Sequence, residues 1–207
     1  MRDLYKVPRI FAGKTVVIIG GGPSLDLKQV RKIAIAHAEG KIGAIAVNDA
    51  GFVCWFADWL HACDFKFWNW NKQSATRFPG IRTTLDEHVP AGWAALIKNT
   101  GREGFDENPS HCRTGSNSAY QAAHCAIHAG ARKIVLVGVD QKLGPKGESH
   151  WYGEPPDRIV PHYETAMIPY WDGLKDALKA FGVEMVNATP GSALKSFPLA
   201  GLDEVLK

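Results

Sequence analysis

Four consecutive β-branched residues, Val16-Val17-Ile18-Ile19, run directly into Gly20-Gly21-Gly22-Pro23-Ser24-Leu25. A segment apolar at every position suits a strand buried on both faces, as in a parallel sheet. The glycines allow a sharp turn and close approach of a ligand to bare backbone. Pro23 suits the first turn of a helix, where its missing N–H costs nothing. Free N–H groups and the positive dipole end would then face whatever sits over the glycines, most often a phosphate. The spacing is neither of two familiar loops. A dinucleotide fingerprint needs a further glycine three residues on, and a P-loop needs Gly-Lys-Ser/Thr. A tight βα turn without any ligand explains a glycine triplet equally well, so the reading depends on what lies downstream.

The rest of the chain alternates strands with helices. Residues 1–13 form an arm. A helix is expected from Asp26 to Ala38, with Leu27, Val30, Ile33, Ala34 and His37 on one face and Gly40 as its stop. Strands follow at Gly43–Val47, ending in Asn48-Asp49, and at Trp59–Cys63, ending in Asp64. Between Phe65 and Ser110 only Ile81–Thr84 and Ala94–Ile97 read as short strands. Asn117–Ala129 is alanine-rich and helical, closed by Gly130, and Lys133–Asp140 is a second fully buried strand. Gln141–Pro161, dense in glycine, proline and charge, reads as a mobile flap. A helix at Pro169–Phe181 and a strand at Val183–Asn187 precede Pro190-Gly191-Ser192, which echoes the opening turn. The fold class expected is α/β: one Rossmann-like domain over residues 1–207, its mostly parallel sheet covered by helices on both faces.

With 207 residues and a net charge of +3, the chain is of single-domain size and too weakly basic for nucleic-acid binding as its main task. No apolar run approaches membrane-spanning length, and Met1-Arg2-Asp3 opens no signal peptide, so a cytoplasmic location is expected. Cys54, Cys63, Cys112 and Cys125 lack a metal spacing and read as buried thiols. The tryptophans between Trp55 and Trp70 read first as a packed aromatic wall.

In open α/β sheets, ligands gather beyond the carboxyl ends of the strands. Here those ends carry Gly22-Pro23-Ser24, Asn48-Asp49, Asp64, Asp140 and Asn187. Each alone is an ordinary cap or turn residue; their recurrence points to one cleft. Arg113-Thr114-Gly115-Ser116-Asn117-Ser118 offers a second helix N-terminus that, facing the first, could hold a phosphate and its sugar. Of the eight histidines, His150 and His162 lie in or beside the flap, where an imidazole could take a proton from an acceptor hydroxyl. His37, His124 and His128 fall on helices as packing residues. No histidine spacing suggests a metal site.

Ile18–Leu25, Val47-Asn48, Ala62-Cys63-Asp64, Asn117-Ser118-Ala119, Ala126–Asp140, His150-Trp151-Tyr152-Gly153 and Thr189–Leu194 resemble, in order, segments of family-42 bacterial sialyltransferases. The resemblance extends to motility-accessory glycosyltransferases and hydroxymethyldihydropterin pyrophosphokinases. With Ala57-Asp58, Gly115–Ser118 and Asn187–Leu194 added, it is strongest toward uncharacterised phage and prophage proteins. It implies that Gly20, Gly21, Gly22, Pro23 and Ser24 approach a nucleotide phosphate, and that Asn48 and Asp64 line the donor sugar and acceptor. Ser116, Asn117 and Ser118 would bind donor groups, Asp140 the ribose or its surroundings, and His150 would be the catalytic base. No metal is implied. Gly21 and Asp64 stand where the sialyltransferases have asparagine. The flap reads His150-Trp151-Tyr152-Gly153-Glu154-Pro155 rather than the phage-type His-Trp-His-Gly-Asp-His, and Tyr152 and Tyr163 are candidates for the phosphate-holding tyrosines.

Three functions follow as expectations. The first is a glycosyltransferase using a CMP-type sugar donor and a glycan or other hydroxyl acceptor, with a homo-oligomer allowed. The second is a pyrophosphokinase-like enzyme moving diphosphate from ATP, with magnesium on Asp64 and Asp140. The third is a phage-encoded nucleotide-binding module without catalysis, resident in the host cytoplasm.

Overall fold

Alternation along the first strand explains the layering. In β1 (Thr15–Ile19), Val16 and Ile18 face one apolar layer while Val17 and Ile19 face the other, and all four are fully buried. The computed structural model describes residues 2–153 and 162–207. After β1 come α1 (Leu27–Ala38), β2 (Ile42–Val47), a 3-10 turn at Asn48–Phe52, β3 (Trp59–His61), α2 (Phe65–Trp70) and α3 (Lys72–Ala75). Next are β4 (Ile81–Thr84), β5 (Ala95–Leu96), β6 (Lys98–Asn99), β7 (His111–Cys112), α4 (Ser118–His128) and β8 (Lys133–Val137). The chain finishes with α5 (Tyr163–Ala166), a 3-10 helix at Ile168–Leu174, α6 (Lys175–Ala180), β9 (Glu184–Asn187) and α7 (Leu202–Val205).

The sheet has seven parallel strands in the order β5-β4-β3-β2-β1-β8-β9, and β6 pairs with β7 separately. Helix α1 packs on one face; α4 and the 168–180 helical segment pack on the other. This is the α/β, Rossmann-like class expected. The chain leaves β1 toward β2, works outward to β5, and returns to place β8 on the other flank of β1. That reversal puts the β1 and β8 turns side by side, the crevice where such sheets take ligands.

Four departures from the sequence reading have local causes. Helix α1 starts at Leu27, capped by Asp26, whose carboxylate accepts from the Gln29 N–H while Gln29 accepts from the Asp26 N–H. Pro23 therefore precedes the helix, and Leu27 is exposed; Val30, Ile33 and Ala36 form the buried stripe. The expected helix at 169–181 is split at Leu174. Gly173 packs its backbone against Gly104, a Cβ there falling 3.0 Å from the Gly104 nitrogen, so close packing replaces regular helix. The N-terminal arm is docked: Leu4 bridges to Leu96, and Phe11 covers Gly43, where a Cβ would sit 2.5 Å from its ring. The tryptophans divide, Trp59 and Trp68 being fully buried while Trp55 and Trp70 stay exposed. All four cysteines are free thiols. Among the described residues no helix is long and apolar enough to cross a membrane.

Candidate functional site

A cavity of about 230 Å³ opens over the carboxyl ends of β1, β2 and β8. Gly20, Gly21, Gly22 and Pro23 form one wall, Asn48 and Asp64 a second, Ser116, Asn117 and Ser118 a third, and Asp140 and His150 a fourth. Tyr152, Tyr163, Met167, Ser149 and Gln141 also line it. Ser24 lies just outside this lining. Its backbone N–H and hydroxyl both donate to the Asp140 carboxylate, at 3.2 and 2.9 Å.

That pair changes the role of the glycine turn. The Gly20 N–H donates to Val137 and the Gly22 N–H to Gly138, so both are spent on β8. A Cβ on Gly20 would sit 2.5 Å from the Gly138 carbonyl oxygen, and one on Gly22 would collide with the Asp140 carboxylate. These two glycines let the β1 and β8 backbones meet. Gly21 is the open one: a Cβ there would reach the Tyr152 and His150 rings only at 3.4 and 3.5 Å.

His150 is brought to Gly21 by the chain around it. The Trp151 N–H donates to the Gly21 carbonyl at 3.1 Å, and the Tyr152 hydroxyl donates to Asp49 at 2.9 Å. Nδ1 of His150 lies 2.8 Å from the hydroxyl of Ser149, itself buried. Ser149–Tyr152 of the expected flap are thus tied to the cavity rim, while Gly144–Glu148 close a turn on themselves; 154–161 lie outside the described residues.

The third wall is the start of α4. Asn117 caps it, its side-chain oxygen accepting from the Ala119 and Tyr120 N–H groups at 2.8 and 3.2 Å. Behind it, donor and acceptor capacities fix one buried chain. Trp59 Nε1–H donates to Thr83 Oγ1, the Thr83 hydroxyl to His61 Nδ1, His61 Nε2–H to the Gln121 carbonyl oxygen, and the Gln121 amide to the Thr114 carbonyl. Burial holds His61 near a pKa of about 4, in the neutral form this chain requires.

Two carboxyls in the wall, Asp64 and Asp140, are held above the usual range, first by desolvation; Asp86 adds to the effect at Asp64, and the Ser24 hydrogen bonds oppose it at Asp140. No lysine or arginine is among the described lining residues. Arg113, expected to face an anion, instead donates to the Thr100 carbonyl. His162 is exposed at the start of α5, off the lining. Asn187 departs from the shared-cleft expectation: it is buried in edge strand β9, bonds the Leu194 carbonyl and Thr189 N–H, and borders a separate recess. Among the described residues, no three His, Cys, Asp or Glu side chains stand together as metal ligands.

The non-glycine residues with positive φ among those described are Asn48, Ser116 and Gln141, at 52°, 51° and 52°, and all three line this cavity. Such conformations cost roughly 1–3 kcal/mol each and gather at functional sites. Sequence reasoning named Asn48 and Ser116 but missed Gln141, though its place directly after the strand-end Asp140 was the available signal.

No family model and no curated protein matches the chain. Of the solved structures, the MAf glycosyltransferase from Magnetospirillum magneticum AMB-1 superposes with a TM-score of 0.63 at 15% identity, over 98% of this chain and 36% of that one. BdcA (YjgI) from E. coli aligns over 87% of this chain and 85% of that one at 12% identity, with a TM-score of only 0.26. The present chain spans about a third of the length of the MAf glycosyltransferase. At that identity, the two share an α/β fold.

Proposed function

We propose that this chain is a nucleotide-sugar glycosyltransferase, using a CMP-type donor and a hydroxyl acceptor. One observation carries the reading: the His150 imidazole stands over Gly21 in the cavity where α4 begins. His150 takes the acceptor proton, its ring oriented by the 2.8 Å contact of Nδ1 with the Ser149 hydroxyl. The acceptor oxygen attacks the anomeric carbon, the bond from that carbon to the phosphate oxygen breaks, and the nucleotide leaves with the electron pair. The Gly21 and Ser118 N–H groups and the hydroxyl of Tyr163 are the donors for the charge that develops on it. Asn48 and Asp64 lie toward the sugar and acceptor, Asn117 toward the donor, and Asp140 toward the ribose. Ser24 holds Asp140 in place rather than the phosphate. The overall likeness to a solved glycosyltransferase supports this class of reaction through the fold.

His150→Ala should lower donor turnover on the order of 100-fold or more, with an unchanged melting temperature. Turnover at the wild-type rate would remove the histidine from the mechanism. Two carboxyls that desolvation holds above their usual range, in a cavity without a described lysine or arginine, favour one second reading: magnesium-assisted diphosphate transfer. Both Asp140 oxygens are engaged by Ser24, so Asp64 would reach an ion held largely by substrate phosphates. Activity that survives EDTA separates the first reading from the second.

A further inference from the structure

Gln141 combines three properties. It is held at a φ of 52°, it is only 5% exposed, and its side-chain oxygen is buried without a hydrogen-bond partner. A buried, unpaired amide oxygen ordinarily costs folding free energy, so a native one calls for an explanation. Gln141 also lines the cavity, directly after the β8 turn.

The strained backbone is fixed from behind. The carbonyl of Asp140, the residue before it, accepts from the Ala193 N–H at 2.8 Å, and the Ser192 hydroxyl lies within hydrogen-bonding reach of the Val139 and Asp140 carbonyls. Ser24 anchors the Asp140 side chain. Backbone strain persists only when its surroundings over-determine it. Here the Pro190–Ser192 turn and Ser24 do so together, fixing the backbone that carries Gln141 into the cavity lining.

We infer that Gln141 is a ligand-recognition residue whose carboxamide oxygen accepts a hydrogen bond from the bound nucleotide. The inference rests on the reading that a nucleotide enters this cavity. The donor on the ligand is either an exocyclic amine of the base or a ribose hydroxyl, both of which offer the proton that the amide oxygen lacks. A site built around such an acceptor discriminates against ligands without the donor, because the acceptor is then left unpaired.

The experiment measures binding of CMP, UMP and 2′,3′-dideoxy-CMP by calorimetry, with thermal melts of the free proteins, for wild type, Gln141→Met and Gln141→Asn. Methionine keeps the unbranched shape and removes the amide; asparagine keeps an amide on a shorter stem. Expected are wild-type binding of CMP, binding about tenfold weaker in Gln141→Met, and a free-protein melting temperature in that variant no lower than in wild type. An amine contact appears as a CMP-over-UMP preference lost in Gln141→Met. A hydroxyl contact appears as a CMP-over-dideoxy-CMP preference lost in the same variant. Wild-type binding that both variants reproduce for all three ligands would overturn the inference alone, and so would a clear fall in the melting temperature of free Gln141→Met, which would mark a structural amide. A wild-type protein blind to all three ligands would overturn it together with the nucleotide reading.

Discussion

Two turns face each other across the cavity, and they use their backbone differently. The glycine turn after β1 spends its Gly20 and Gly22 N–H groups on β8 and gives its Ser24 donors to Asp140. The turn before α4 places a helix N-terminus at the cavity wall, with Asn117 satisfying Ala119 and Tyr120 and leaving Ser118 in the lining. Both read in sequence as anion cradles. A glycine-rich turn thus serves strand-to-strand contact as readily as ligand contact, and which of the two holds is decided by what lies across from it.

The sharpest way to break this contrast is Gly20→Ala. The added carbon meets backbone, the Gly138 carbonyl, at 2.5 Å, so β1 and β8 must part. Stability should fall by about 2–3 kcal/mol, read from urea unfolding. A loss below about 0.5 kcal/mol would show that the close approach is dispensable.

Acid should act on the other turn. The folded pKa of His61 is lowered to about 4 from 6.5, so the unfolded chain binds the proton first as pH drops. The stability tied to neutral His61 is complete above pH 6.5 and is lost progressively down to about pH 4, by about 1.4 kcal/mol per pH unit at its steepest. His124, lowered to about 3 mainly by burial, adds a loss of the same sign. Urea unfolding from pH 7 to 4 should therefore show a shallower slope in His61→Gln than in wild type. Equal slopes would detach His61 from the chain that holds Thr114.

The smallest effect sharpens the comparison at the cap itself. Asn117→Ala should cost about 1 kcal/mol, seen as a lower melting temperature, while Asn117→Asp retains the accepting oxygen and most of the stability. If alanine were silent, the α4 start would owe its position to packing rather than to its cap.

Much of the frame was legible because it follows from local pattern. The all-apolar runs gave β1 and β8, and Asn117 and Gly130 bounded α4 nearly to the residue. Arg113 was not legible, since only the folded loop brings the Thr100 carbonyl to it. Asn187 looked like the other strand-end polar residues, yet β9 is the sheet edge and its turn bonds inward. Gln141 read as flap because glycine and charge around it hid a buried position.

The sequence by itself determined strands β1, β2, β8 and β9, helices α1 and α4 and the polar character of the strand ends, because periodicity and capping act over a few residues; α2, α3, β6 and β7 carried no such signal. Tertiary structure alone decided which of those ends converge and which donors remain for a ligand. Those outcomes depend on Asp140 meeting Ser24 and Gly138 meeting Gly20, contacts separated by more than a hundred residues that no local pattern encodes.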